Sequence, residues 1–253
     1  MGAISVPILG FHQLSAPPPV GGEHRSAEPA EIFERYIRHL HFDGYNCISL
    51  SELSHYARYG RLFWKRTVVL TFDDGYEDFL TLAHPVLSHY GFSATVFVVT
   101  DLVGARSNWQ GETGSPLLSW EQIKLLQKAG VTFGSHTCSH PRLTSISEQQ
   151  LWHELADSKK CLEDRLSEEV GYLAYPHGES NTRIQQVALE AGYDMACGLQ
   201  QGMNYRYNVP RRPCGLDDSL ETLIYKSSRE YELRRWFRVD TRLGQFLHKV
   251  RHA

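Results

Sequence analysis

Thr67-Val68-Val69-Leu70-Thr71-Phe72-Asp73-Asp74-Gly75 runs a stretch of strand-forming residues directly into two acids and a glycine. A run with so few polar residues is the pattern of a strand covered on both faces, as in a parallel sheet flanked by helices. Successive side chains of a strand point to opposite faces, so Asp73 and Asp74 cannot do the same job. One can hold a metal while its neighbour handles a proton. Further on, residues 131–134 read as another strand, and His136 and His140 follow it four residues apart. Asp74 with these two histidines makes an Asp/His/His set with open positions. Catalytic zinc sites use that composition to polarise a carbonyl and to lower the pKa of a bound water from about 15.7 to about 7. The chemistry indicated is that of a metal-dependent hydrolase.

Working outward from this strand, apolar runs alternate with helical patterns. Strands are expected at residues 4–11, 45–49, 93–99, 171–175 and 193–197. Helices are expected after Pro29, with Ile32, Phe33, Tyr36, Ile37 and Leu40 on one face, and at 51–59, 78–90, 147–166 and 181–191. Ser119 followed by Gln122 predicts a capping box opening a further helix that Gly130 closes. Pro17-Pro18-Pro19 and Gly21-Gly22 mark a loop, and the polar stretch 104–116 is long enough to be a functional one. Residues 198–218 show no usable period. The alternation predicts parallel strands joined by crossover helices, and 253 residues suit one barrel-like domain of about 250. His12, Asp73, Asp74, His136 and His177 each follow an expected strand, and the carboxyl ends of parallel strands form the functional face of such folds.

A net charge of -3 and a pI near 6.5 give no reason to expect a nucleic-acid partner, and no apolar run approaches the ~20 residues of a membrane-spanning helix. Residues 1–6 lack a basic leader region, so the expectation is no secretory signal and a cytoplasmic protein as the sequence stands, with an envelope location as the alternative. Five widely spread cysteines, an odd number, read as reduced thiols. Cys138 reads as a small buried residue rather than a soft ligand. Residues 229–253 carry seven Lys/Arg against three acids and predict a basic helix with Leu233, Trp236, Phe237, Leu243, Phe246 and Leu247. Peripheral contact with an anionic membrane is one use for it; packing on the barrel is the expected one.

Thr71-Phe72-Asp73-Asp74-Gly75 and His136-Thr137-Cys138-Ser139-His140 resemble the first two motifs of the NodB-type polysaccharide deacetylases, the family-four carbohydrate esterases. The resemblance extends over residues 4–215. It implies a distorted (β/α) barrel and a deacetylase domain, expected over residues 1–225, which leaves the basic tail as a helical extension over 226–253. It implies one divalent metal held by Asp74, His136 and His140, with zinc expected and cobalt, nickel or manganese as alternatives. It makes Asp73 the general base acting on the attacking water, and an N-acetylated glycan the substrate. Ala174-Tyr175-Pro176-His177-Gly178 lies where the third motif lends a backbone N–H to the oxyanion, by position that of His177, and the resemblance makes Tyr175, Pro176 and His177 the candidate substrate and oxyanion residues of the cleft.

Many members begin that motif with an arginine bracing the catalytic aspartate and carry a late Leu-x-His acid, whereas this chain has Ala174 in the first place. One branch, similar to the poly-N-acetylglucosamine deacetylases, reads Phe-Ala-Tyr-Pro-Tyr-Gly there and places its acid histidine after the first strand. Leu173 to Gly178 and Ile8-Leu9-Gly10-Phe11-His12 resemble that arrangement, with His177 where the branch usually has tyrosine. His12 is therefore the expected general acid. Arg211 is the expected partner of Asp73, with Arg212 competing. Trp109 and Trp120, flanking the long loop, are candidates either for stacking on sugars or for the core. Two other readings stand beside N-deacetylation of a glycan: the same machinery acting on a small amide or an O-acetyl ester, and a non-catalytic carbohydrate-binding relative.

Overall fold

Every residue of the strand Thr67–Phe72 (β3) is buried, and its two faces serve different cores. Val68, Leu70 and Phe72 point into a cluster with Phe33, Tyr36 and Ile37, whereas Val69 points the other way, to Ile8, Phe97 and Cys197. Such double burial is what the unbroken apolar run encodes. The computed structural model describes residues 6–15, 29–58, 66–109, 114–199, 206–228 and 230–231.

All pairings among the strands are parallel. In chain order they are β1 (Ile8–Phe11), β2 (Asn46–Cys47), β3, β4 (Thr95–Val98), β5 (Thr132–Ser135), β6 (Tyr172–Ala174), β7 (Met195–Gly198), β8 (Val209–Pro210) and β9 (Arg212–Pro213). Their order across the sheet is β8-β7-β6-β5-β4-β3-β1-β9, with β2 beside β3. The last two strands are halves of one extended segment on opposite edges. Val209 pairs with Cys197 of β7 and Arg212 with Leu9 of β1, so residues 209–213 nearly close the sheet into a barrel. Arg211 sits at this seam, its N–H donating to the Gly198 carbonyl at 2.9 Å, and the Cys214 N–H donates to that of Gly10 at 2.8 Å. The seam falls in the stretch whose sequence shows no period, because two-residue strands interrupted by prolines leave no alternation to read.

The helices are α1 (Pro29–Phe42), α2 (Leu50–Arg58), α3 (His84–His89), α4 (Trp120–Lys128), α5 (Glu148–Trp152), α6 (Ser158–Leu166), α7 (Thr182–Glu190) and α8 (Leu220–Ser227). The capping box before α4 forms as expected. The Ser119 N–H donates to Gln122 Oε1 at 2.7 Å and the Gln122 N–H to Ser119 Oγ at 3.3 Å, an arrangement worth about 1 kcal/mol. The helix expected at 147–166 is interrupted by a π turn, His153–Asp157, between α5 and α6, and the one expected at 78–90 opens with another, Phe79–Ala83. Each inserted residue rotates the helix face, a device frequent at functional sites.

α8 crosses the expected boundary at residues 225 and 226 and packs on α1. The basic extension from residue 232 onward lies outside the described residues, as do the three prolines and two glycines of the first loop. The five cysteines are free thiols. Among the described residues no helix is long and apolar enough to cross a membrane.

Candidate active site

The end of β3 positions the two acids by an abrupt change of backbone. Asp73 continues the ladder, its N–H donating to the Phe11 carbonyl at 2.9 Å. Asp74 then turns to φ 71° and Gly75 to φ 73°. A left-handed aspartate is tolerated better than most residues, yet it stores strain of the kind that collects at functional sites. Both carboxylates are buried.

Arg211 reaches Asp73 from the seam with both arms, Nη1 to Oδ1 and Nη2 to Oδ2, each at 2.6 Å, and Nη1 also donates to Thr71 Oγ1 at 3.1 Å. Burial by itself would raise the Asp73 carboxyl pKa. The Arg211 guanidinium, His136 and His12 outweigh it and hold the group well below the ordinary carboxylate range. Arg212 faces the opposite way, as the next residue of an extended segment must. Its guanidinium donates to the carbonyls of Lys226 and Ser228 and lies over the Tyr231 ring.

Asp74 Oδ1 lies 3.4 Å from His136 Nε2 and 3.5 Å from His140 Nε2. These three side chains are the cluster among the described residues whose donor atoms could hold a metal ion. Two observations fit them to that role. Asp74 Oδ1 is buried with no hydrogen-bond partner, a costly state for a carboxylate oxygen unless a cation satisfies it. His136 Nδ1 is 2.8 Å from the Ala174 carbonyl, which can only accept, so the proton sits on Nδ1 and the Nε2 lone pair is free to ligate. Burial is the largest cause lowering the His140 pKa to about 4, so that ring is neutral and able to donate a lone pair.

The loop carrying the histidines holds Thr137 at φ 71° and His140 at φ 63°. It is pinned by Glu154, a residue the sequence motifs did not single out. Glu154 Oε2 accepts from the N–H groups of Cys138 at 2.8 Å and Ser139 at 2.9 Å, and Oε1 from the Ser139 hydroxyl at 2.6 Å. The signal was present in the helical pattern: Glu154 stands three residues after Leu151, on the stripe with Leu155, Ser158 and Leu162, and all five are buried. Cys138 is buried and outside the ligand cluster.

A cleft of about 520 Å³ opens over this cluster and takes in His12, Trp109, His177 and Arg211. His12 Nε2 stands 3.9 Å from Asp73 Oδ2, with its side chain 53% exposed. His177 is exposed, on a turn at φ 59°, its ring centroid 4.9 Å from that of His140. Of the third-motif residues His177 and Gly178 line the cleft. Tyr175 is turned into the core, its hydroxyl donating to the Tyr207 carbonyl and its N–H to that of Cys197, and Pro176 is buried and has no N–H to give. Trp109 stacks on His140 at 4.3 Å between centroids, with Nε1 donating to the Tyr76 hydroxyl at 3.1 Å. Trp120 packs instead against the outer core, under the Arg165 guanidinium.

Residues 63–196 match the family model for polysaccharide deacetylases. The chain belongs to the polysaccharide deacetylase family. The matched segment contains Asp73, Asp74, His136 and His140, whereas His12 and Arg211 lie outside it and come to the site through the barrel seam and the first strand. Among polysaccharide deacetylases the chain is 31% identical over 197 residues to YxkH of Bacillus subtilis, a protein assigned to this family, covering 78% of this chain and 65% of that one. The chain thus spans just under two thirds of that relative's length. It is 28% identical over 205 residues to the poly-β-1,6-N-acetyl-D-glucosamine N-deacetylase of Staphylococcus aureus, covering 76% of this chain and 69% of that one. The structure of the Streptococcus pyogenes deacetylase PplD in complex with acetate superposes with a TM-score of 0.76 at 27% identity, over 88% of this chain and 98% of that one. That likeness is to a nearly closed parallel barrel of the NodB type.

Proposed function

We propose that the protein hydrolyses the N-acetyl amide of N-acetylhexosamine units in a glycan and releases acetate. The observation that carries this reading is the convergence of two devices in one cleft. The Asp73–Arg211 pair, with His12 beside it, adjoins the Asp74, His136 and His140 cluster. The curated relative that acts on poly-β-1,6-N-acetylglucosamine and the relative solved with acetate support the same substrate class and product.

An aspartate held well below the carboxylate range is a weak base, and free water, with a pKa of about 15.7, would not yield a proton to it at a useful rate. Asp74, His136 and His140 would hold a divalent ion, which would supply what is missing by lowering the pKa of water toward about 7 and polarising the amide carbonyl. One carboxylate oxygen and two imidazole nitrogens suit zinc, with cobalt, nickel and manganese able to take the same donors. Asp73 then accepts the proton of the attacking water while Arg211 keeps its oxygens fixed. The backbone N–H of His177, on the turn that carries its ring into the cleft, donates to the oxyanion. His12 protonates the departing nitrogen, which cannot leave as an anion. The deacetylase domain on this reading contains the seam residues and runs past residue 225 to the end of α8 at Ser227.

The test is acetate release from a panel of N-acetylglucosamine oligomers, a small acetamide and an O-acetyl ester, with metal content measured on the same sample. Release from the oligomers above the other two supports the reading. Preference for the small amide or the ester points to the same machinery on another substrate. Glycan binding without acetate from any of them would leave a carbohydrate-binding relative.

A further inference from the structure

Asp78 stands at the entry to the helical segment after the acidic pair, where a carboxylate ordinarily accepts from an amide of its own helix. Here it makes no such bond. Its Oδ2 instead reaches the turn that follows β1 and accepts there from the Leu14 N–H at 2.7 Å, the Ser15 N–H at 2.7 Å and the Ser15 hydroxyl at 2.8 Å. Oδ1 is buried with no partner among the described residues, so the side chain has given up its local use and part of its solvation to hold a segment 63 residues earlier.

That segment carries His12. On its amino side the backbone is fixed by Phe11, in register with Phe72, whose next residue donates its N–H to the Phe11 carbonyl. On its carboxyl side Leu14 and Ser15 are fixed by Asp78, and Gln13 Oε1 accepts from Ser115 Oγ at 2.8 Å. The imidazole itself has little to hold it, being half exposed with Asp73 at 3.9 Å as its charged neighbour. Its direction must therefore come from the backbone beneath it. Hydrogen bonds to a carboxylate are the strong kind, and three on one oxygen, two from amides and one from a hydroxyl, make Asp78 the main anchor of the turn.

We propose that Asp78 is a positioning residue for His12, keeping the imidazole over Asp73 and aimed into the cleft. This rests on the reading of His12 as proton donor. A general acid contributes about 10²- to 10⁴-fold, and a displacement of the order of 1 Å can remove about 10²-fold.

The experiment is a double-mutant cycle on the metal-loaded protein, with kcat and KM measured for acetate release from an N-acetylglucosamine oligomer by wild type, Asp78→Ala, His12→Ala and the double variant. Asp78→Ala is expected to lower kcat by about 10- to 100-fold with KM little changed, and Asp78→Asn, which keeps one acceptor oxygen, to recover part of the loss. In the His12→Ala background the Asp78 substitution is expected to do nothing further. An equal loss in both backgrounds, or wild-type kcat in Asp78→Ala, overturns the inference while leaving the role of His12 intact. Full activity in His12→Ala overturns that role and the inference with it. If Asp78→Ala does not fold, Asp78→Asn carries the same cycle with a smaller expected loss and the same overturning results.

Discussion

Arg211 clasps Asp73 by two parallel hydrogen bonds of 2.6 Å, although 138 residues separate them in the chain. The contact is made at the barrel seam, by the residue between the strand that pairs with β7 and the strand that pairs with β1. Closing the barrel and bracing the aspartate are therefore one structural event. The arginine absent from position 174 is replaced from the other end of the domain.

Removing that guanidinium leaves Asp73 buried and without its partner. Arg211→Met is expected to destabilise the fold by about 3–5 kcal/mol, and Arg211→Lys by less, because an ammonium keeps the charge but loses the two-pronged geometry. Urea unfolding should show the midpoint falling in that order with the slope unchanged. A midpoint within error of wild type for Arg211→Met would contradict the role of the pair.

The fold alone brings Asp74, His136 and His140 together, so a cation held by them is expected to raise the melting temperature. Free ion at 100 times its Kd is worth about 2.7 kcal/mol. Chelation is expected to lower the melting temperature, readdition of zinc to restore it, and His140→Ala to abolish both the shift and the bound ion. Calorimetry with elemental analysis checks all three, at one ion per chain.

Glu154 holds the N–H groups of Cys138 and Ser139, the centre of the loop between the two histidines. Glu154→Gln presents an amide NH₂ in place of one acceptor and should loosen that loop. Metal affinity is expected to fall by about 10- to 100-fold, the usual effect of losing a group behind the ligands. Titration of the chelated protein with zinc measures it directly.

Gly134 lies in β5 just before the ligand loop, and a Cβ there would come within 2.6 Å of the Phe97 ring and 2.8 Å of the Tyr172 carbonyl oxygen. Neither can withdraw without moving a strand. Gly134→Ala is expected to cost about 1–3 kcal/mol from overpacking, read as a lower urea midpoint.

The parts of the fold and site visible in the sequence are those encoded by neighbours. The strand Thr67–Phe72, the Ser119–Gln122 cap, the Asp73-Asp74 pair and the His136–His140 spacing are each written in short spans, where alternation, capping chemistry and spacing act locally. The seam was not legible, because Val209–Pro210 and Arg212–Pro213 are too short to show a period, and their meaning lies in pairing with strands far back in the chain. Position alone could not separate Arg211 from Arg212; the alternation of an extended segment did, sending one to Asp73 and the other to α8. Tyr175 looked like a cleft residue by motif, but the pleat of β6 continues through it and buries its ring. Asp78 read as the start of a helix, and only the fold shows its carboxylate serving the turn of residues 12–15.

The central claim is that Asp73, braced by Arg211 beside the metal cluster, takes the proton of the water that cleaves an acetamide. Asp73→Asn keeps the shape of the side chain and removes the base. Acetate release from an N-acetylglucosamine oligomer by the zinc-loaded wild type, falling by at least about 10²-fold in zinc-loaded Asp73→Asn with bound metal retained, is the predicted result. Acetate release by Asp73→Asn at the wild-type rate would contradict it.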